Sequence, residues 1–162
     1  MREATRRKRR VIFNDEGEAL MVYYTGIGFD HNHKLPPGIT ELDSGIGLAK
    51  LRLDGFISVD AGQEQRTLTT KPFTFRGETL VVNADAGSGH VAVEVQDGNG
   101  KPVEGFGRDD CDPLTDDAIR YSVTWKGKGD LKHLAGKVIK LRFHLTHAKL
   151  YAFGFRNKEE TI

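Results

Sequence analysis

The sequence predicts an all-β fold: an antiparallel β-sandwich of jelly-roll or concanavalin-like type, with a short β appendage on its N-terminal side. Three observations carry that expectation. From Arg66 onward, apolar and polar residues alternate with period two, as a sheet with one buried and one wet face requires. The alternating runs are joined by short connections such as "RGE", "AGSG", "DGNGKP" and "HAK", most of them rich in turn residues. No segment with helical periodicity exceeds one turn. A chain of 162 residues is one domain by default, with room for an appendage, and it buries enough surface to fold without staples.

The elements follow in order. Residues 1–10, "MREATRRKRR", hold six Lys or Arg against the single acid Glu3 and read as a basic, disordered leader. A nucleic-acid arm is the other reading of such a run. The remaining residues hold 18 basic and 22 acidic side chains, and a mildly acidic body is a poor polyanion binder. No nucleic-acid partner is expected. Residues 11–56 form the appendage. "VIF" and "ALMVYYTG" are strands, and a polar loop with Pro36 and Pro37 leads to the strand Ile46–Leu53 and an Asp54-Gly55 turn. Residues 57–156 form the sandwich, with strands "RTLTT", "FTF", "ETLVVNAD", "HVAVEVQD", "IRYSVTW", "KVIKLRFHL" and "KLYAFGF". "DLKHLAG" supplies the one helical turn, with Asp130 as N-cap and Gly136 as its stop. Residues 157–162 are a tail. No signal-peptide pattern and no membrane-length apolar run is present, and the single Cys111 leaves the compartment open.

Parity assigns the faces. Val91, Val93 and Val95 point inward, as do Ile139, Leu141, Phe143 and Leu145, and Ile119, Tyr121, Val123 and Trp125 share a face. On the last strand Tyr151, Phe153 and Phe155 share one face and leave Leu150, Ala152 and Gly154 on the other. The opposite, wet face would gather Glu94, Arg120, Ser122, Arg142 and His144 if their strands are neighbours. That set is the candidate ligand-binding face, and an ordinary solvated surface with cross-strand ion pairs is its plain alternative.

The densest oxygen cluster is "GRDDCDPLTDD". Asp109, Asp110 and Asp112 are the candidate calcium ligands, since calcium takes oxygens from a flexible loop, although the spacing is not an EF-hand. The competing reading is turn chemistry, in which Asp side chains bond nearby backbone N–H groups. Asp116 and Asp117 complete the run. Cys111 reads as a buried small apolar residue in a turn, because no Cys-His spacing supports a nucleophile. His31 and His33 with Asp30 could begin a metal site, but no further cluster completes it. Trp125 and Tyr121 read as core, with a sugar platform as the alternative. No phosphate-loop, dinucleotide, nucleophile-elbow, C-x-x-C or zinc-protease motif is present.

Two groups of segments also resemble a known family. "YYTG" followed by "SGIGLAKLRLDGFISVDAG" resembles the last propeller-blade strands of bacterial five-bladed-propeller glycoside hydrolase-like proteins of the invertase, levanase and arabinosidase type. "LTTKPFTF", "LVVNADA", "VAVEVQDGNGKPVEGF", "DDCDPL", "VTWKG" and "DLKHLAGKVIKLRFHLTHAKLYAFGF" resemble the β-sandwich that follows in that family. The resemblance implies a non-catalytic accessory module that binds carbohydrate. It carries no catalytic residue over, because the family's catalytic carboxylates lie in earlier blades absent from this chain. The departure is at the N-terminal end, where "MREATRRKRRVIFNDEGEAL" stands in place of those blades. The chain would then be a truncated propeller or a stand-alone module. An assembly role is the second expectation: residues 20–55 would dock to a propeller domain or to a second copy. A hydrolase built on the acids of 109–117 is the third. Exposed aromatic rings over a sheet would favour sugar binding, and an apolar patch at 20–55 would favour assembly.

Overall fold

A computed structural model describes residues 11–13, 19–27, 38 and 44–157. The basic leader, Asp30, His31, His33, Pro36 and Pro37, and residues 158–162 lie outside the described residues. The chain divides into two compact units, residues 1–53 and 54–162.

The first unit is a three-stranded antiparallel sheet. β1 (Val11–Phe13), β2 (Ala19–Ile27) and β3 (Ser44–Arg52) lie in the order β1-β2-β3. β2 and β3 pair in unbroken register from Ala19 opposite Arg52 to Ile27 opposite Ser44. β-branched and aromatic residues fill β2, which suits a pleated surface. Gly47 stands opposite Tyr24, and its missing side chain makes room for the Tyr24 ring, which occupies the space a Cβ would need.

The second unit is a β-sandwich. Its strands are β4 (Val59–Ala61), β5 (Arg66–Thr69), β6 (Thr79–Asp85), β7 (His90–Asp97), β8 (Cys111–Asp112), β9 (Asp117–Ser122), β10 (Thr124–Trp125), β11 (Ile139–Thr146) and β12 (Ala148–Arg156). One layer runs β4-β12-β6-β9 and the other β5-β11-β7, all antiparallel, with a small β10-β8 pair beside them. The connections from β4 to β5, β6 to β7 and β11 to β12 each cross between layers, the jelly-roll habit. One apolar cluster joins the layers. It includes Leu80, Val82 and Ala84 of β6, Val91, Val93 and Val95 of β7, and Ile139, Leu141, Phe143 and Leu145 of β11. Trp125, Val123, Leu131 and Leu134 close one side of it.

Four local details differ from the sequence reading. "FTF" is not a strand. Phe73 makes an isolated bridge to Ile139, and Phe75 stacks on Phe155 at 3.9 Å between ring centroids. The strand "IRYSVTW" is broken at Val123, whose N–H turns to the Leu80 carbonyl, so β9 and β10 pair with different neighbours. The helical turn is a 3-10 turn over Lys132–Leu134, and Asp130 Oδ1 accepts the Lys132 N–H at 2.8 Å. In β12 an irregularity between Leu150 and Ala152 reverses the parity. Leu150 therefore faces the core and Phe155 packs on the core cluster, while Phe153 is 39% exposed, with its ring 5.2 Å from that of Phe143. Among the described residues no helix is long and apolar enough to cross a membrane.

Candidate functional site

The five residues expected on one wet face fall on two sheets. Glu94 of β7 and Arg142 of β11 are register partners, and His144 lies two residues along β11 on the same side. Arg120 and Ser122 belong to β9, at the edge of the other layer. The alternation located the face of each strand correctly but carries no information on which strands adjoin.

The Glu94–His144 face is also not wet. Gln96 is 1% exposed and His144 7%, and Glu94 is buried with them. Chain covers this face. Pro102 bridges to Gln96, and Gln65 and Arg108 reach over His144. The polar groups pair with one another, His144 Nε2 excepted. Gln96 Nε2 donates to Glu94 Oε1 at 2.5 Å, and the Arg142 guanidinium stands 3.7 Å from the same oxygen. Arg108 donates to Gln65 Oε1 at 2.9 Å, which turns the Gln65 amide nitrogen toward His144 Nδ1 at 3.1 Å. An amide NH₂ only donates, so Nδ1 accepts and the ring proton sits on Nε2. Nε2 is buried without a partner among the described residues.

This geometry holds His144 neutral. Burial pushes its pKa below the ordinary value of 6.5, with Arg108 and Arg142 acting in the same direction and Glu94 and Asp109 opposing. A proton on Nδ1 would also meet the Gln65 amide hydrogens head-on. The folded protein therefore binds this proton less readily than the unfolded chain. Stability from this group is present above pH 6.5 and is lost as pH falls below 6.5 toward the folded pKa. Urea midpoints should fall over that window, and His144→Gln should flatten the fall. An unchanged slope in His144→Gln would assign the acid sensitivity to other groups.

Two acids of the run, Asp110 and Asp112, are engaged with the 124–127 hairpin. Asp112 Oδ2 accepts Thr124 Oγ1 at 2.6 Å and the Gly127 N–H at 2.8 Å, and these bonds, the Thr124 bond first, pull its carboxyl below the usual range. Asp110 pairs with Lys126, whose hydrogen bond lowers the acid's pKa, with the backbone of Gly107 helping. Asp109, Asp116 and Asp117 are exposed. Among the described residues no group of three His, Cys, Asp or Glu is placed to share a metal ion. Two of the three calcium candidates thus bond to the 124–127 segment.

Cys111 has a specific task that the spacing did not reveal. β7 has β11 on one side only, and its other edge is closed by single groups rather than by a strand. Leu114 exchanges both backbone bonds with Val91, Phe106 accepts the Val95 N–H, and Val103 donates to the Val95 carbonyl. At Val93 the Cys111 sulfur accepts the N–H at 3.2 Å, and the Trp125 indole donates to the carbonyl at 2.9 Å. Burial pushes the Cys111 thiol up to about 11, which keeps it protonated near neutral pH. Trp125 is core, and Tyr121 packs against it with its hydroxyl on the Asp112 carbonyl at 3.2 Å.

The first unit carries a group of exposed apolar residues. Tyr23, Tyr24, Ile46, Leu48 and Leu51 all stand open, Ile46 at 82% and Tyr23 at 57%. Tyr23 is the register partner of Leu48, so the two share a face with Ile46. The outer edge of β3 has no strand beside it among the described residues. No protein-family model matches the chain, and no curated protein or solved structure matches it.

Proposed function

We propose that this chain is an assembly module: a β-sandwich carrying a hairpin that pairs, through β3, with the β3 of a second copy. The observation that carries the reading is the nine-residue β3 edge, without a neighbour among the described residues and flanked by exposed Ile46, Leu48 and Tyr23. A long, apolar, unblocked edge is a template for strand addition. Charge selects the geometry. The cations of β3, Lys50 and Arg52, both lie at its C-terminal end. A parallel pair in register would stack Lys50 on Lys50. An antiparallel pair centred on Leu48 sets Ile46 beside Lys50 and Ser44 beside Arg52, so no like charges face each other. It also runs an apolar stripe, Tyr23 and Leu48 with their copies, across one face of a six-stranded sheet.

Sugar binding on the Glu94–His144 face has less support, because that face is covered by chain. The resemblance to propeller-enzyme sandwiches suits either role, since an accessory sandwich docks as well as binds.

Light scattering across a concentration series tests the assembly reading. A dimer is expected, and Leu48→Lys, which sets two ammonium groups on the two-fold axis, should weaken it at least about tenfold while leaving the circular dichroism unchanged. A monomer at every concentration, or a dimer indifferent to Leu48→Lys, would sink the reading.

A further inference from the structure

We infer that the Phe56–Ile57 peptide bond is a processing site for an endoprotease that seats an aromatic side chain before the bond it cuts, and that the cut releases residues 57–162 as an intact sandwich. The chain passes from the first compact unit to the second at Leu53 and Asp54. No strand or helix covers 53–58, between the end of β3 at Arg52 and the start of β4 at Val59. Nicking concentrates in exposed, irregular chain of this kind.

Three observations select this bond. The first is the side chains. Phe56 is 70% exposed and Ile57 81%, with Asp54 and Gly55 before them and Ser58 after. An aromatic followed by an aliphatic, both standing in water, suits the apolar pocket of a protease. The second is free backbone. A protease binds its substrate as an extended strand, so the main chain around the scissile bond must be unpaired. Neither Phe56 nor Ile57 makes a hydrogen bond among the described residues. Ser58 Oγ turns forward to Asp60 Oδ1 at 2.5 Å and holds nothing before it. The third is contrast. The other exposed Phe and Tyr residues among the described ones lie in ladders, Tyr23 and Tyr24 in β2 against β3, and Phe153 in β12 opposite Val82 of β6. Connections inside the sandwich are tied down instead: the chain after β7 by Val103 and Phe106 on Val95, the chain before β9 by Leu114 on Val91, and the chain before β11 by Leu131 on Glu78.

The step is hydrolysis. The C–N bond between Phe56 and Ile57 breaks, the water oxygen ends in a carboxylate on Phe56, and both its hydrogens end on the Ile57 nitrogen, which leaves as an ammonium. The product keeps its structure. The apolar cluster takes no residue before Ala61, and β4 keeps its register with β12, from Val59 opposite Leu150 to Ala61 opposite Ala148. The β3 edge stays on the other fragment. On the assembly reading the cut therefore also frees the sandwich from a second copy, but the cut itself does not rest on that reading.

The purified full chain is digested with a trace of chymotrypsin, whose hydrophobic slot takes an aromatic side chain before the scissile bond, and the fragments are weighed by mass spectrometry over time. A fragment of residues 57–162 should appear early and persist. Trp125 is the only tryptophan and is 2% exposed, so this fragment should keep the emission of a buried indole. Phe56→Asp should slow its release at least about tenfold. Ile57→Pro leaves Phe56 in place, removes the N–H of the scissile amide, and should stop the cut. Both positions are exposed, and unchanged circular dichroism separates a lost site from a lost fold. The inference is overturned by a 56–57 bond that outlasts bonds within 57–162, by a 57–162 fragment degraded as fast as it forms, or by release indifferent to both substitutions. Fragment mass reads the same for a monomer and a dimer, so the cut and the β3 edge stand or fall separately.

Discussion

Trp125→Ala is expected to cost about 3–5 kcal/mol in lost packing, because the indole is 2% exposed and fills the side of the core next to Phe106 and Val93. A second loss adds to it. The indole N–H is the donor that closes the Val93 carbonyl on the unpaired edge of β7, at 2.9 Å. Without it a buried acceptor is stranded, at about 1–3 kcal/mol. Small domains have only about 5–15 kcal/mol in all, so the variant should be largely unfolded or nearly so at 37 °C. Urea unfolding followed by far-ultraviolet circular dichroism measures this, since the substitution removes the only tryptophan signal. Trp125→Phe separates the two contributions. It keeps an aromatic body and loses the donor, and should sit between the wild type and Trp125→Ala. If Trp125→Phe is as stable as the wild type, the indole bond to Val93 contributes nothing.

That edge shows what the sequence does and does not disclose. Alternation placed Val93 and Trp125 inward, and both are buried. Period two is a local property, set by successive side chains pointing to opposite sides of a pleat. It therefore identified the inner faces of β7 and β11 correctly. It cannot say that residues 93, 111 and 125 meet, because that contact joins separate segments of chain. The same limit explains the candidate ligand face. Alternation gave Glu94, Arg142 and His144 the side opposite the core, yet Gln65, Pro102 and Arg108 cover that side. Whether an outward face meets water or chain depends on loops, and loops carry no periodicity. Arg120 and Ser122 share outward parity with Glu94 but belong to the other layer, since strand order is a topological property. In β12 a single irregularity after Leu150 turned a correct period into a wrong face for that residue. The open face of the first unit was the better-signalled feature, because "ALMVYYTG" and "IGLAKL" leave too few polar residues to solvate both sides of a hairpin.

Gly89→Ala should cost about 3 kcal/mol, and the reason lies in how the two layers are joined. Gly89 ends the turn from β6 to β7, and its N–H closes that turn on the Ala86 carbonyl at 2.9 Å. The turn lifts the chain from the four-stranded layer to the three-stranded one. Directly against it runs the turn from β11 to β12, which brings the chain back. That second turn depends on His147 in a left-handed conformation, φ 43°, with its N–H held by the Gly62 carbonyl at 2.8 Å. A Cβ on Gly89 would overlap the Thr146 carbonyl oxygen and lie 2.7 Å from His147 Cβ. Neither is the tip of a flexible side chain. One crossover must move, and each is pinned by registers on both sides, His90 opposite Thr146 and Asp85 opposite Lys149. Overpacking typically costs about 1–3 kcal/mol, and a backbone obstacle places this site at the upper end. Gly87→Ala is the matched control in the same turn. Its Cβ would meet nothing closer than Asp85 Oδ1 at 3.8 Å, and the substitution should stay within about 0.5 kcal/mol of the wild type. Equal urea midpoints for the two variants would mean that the crossovers do not touch as described. A large loss in Gly89→Ala alone would locate the point where the layers are locked together.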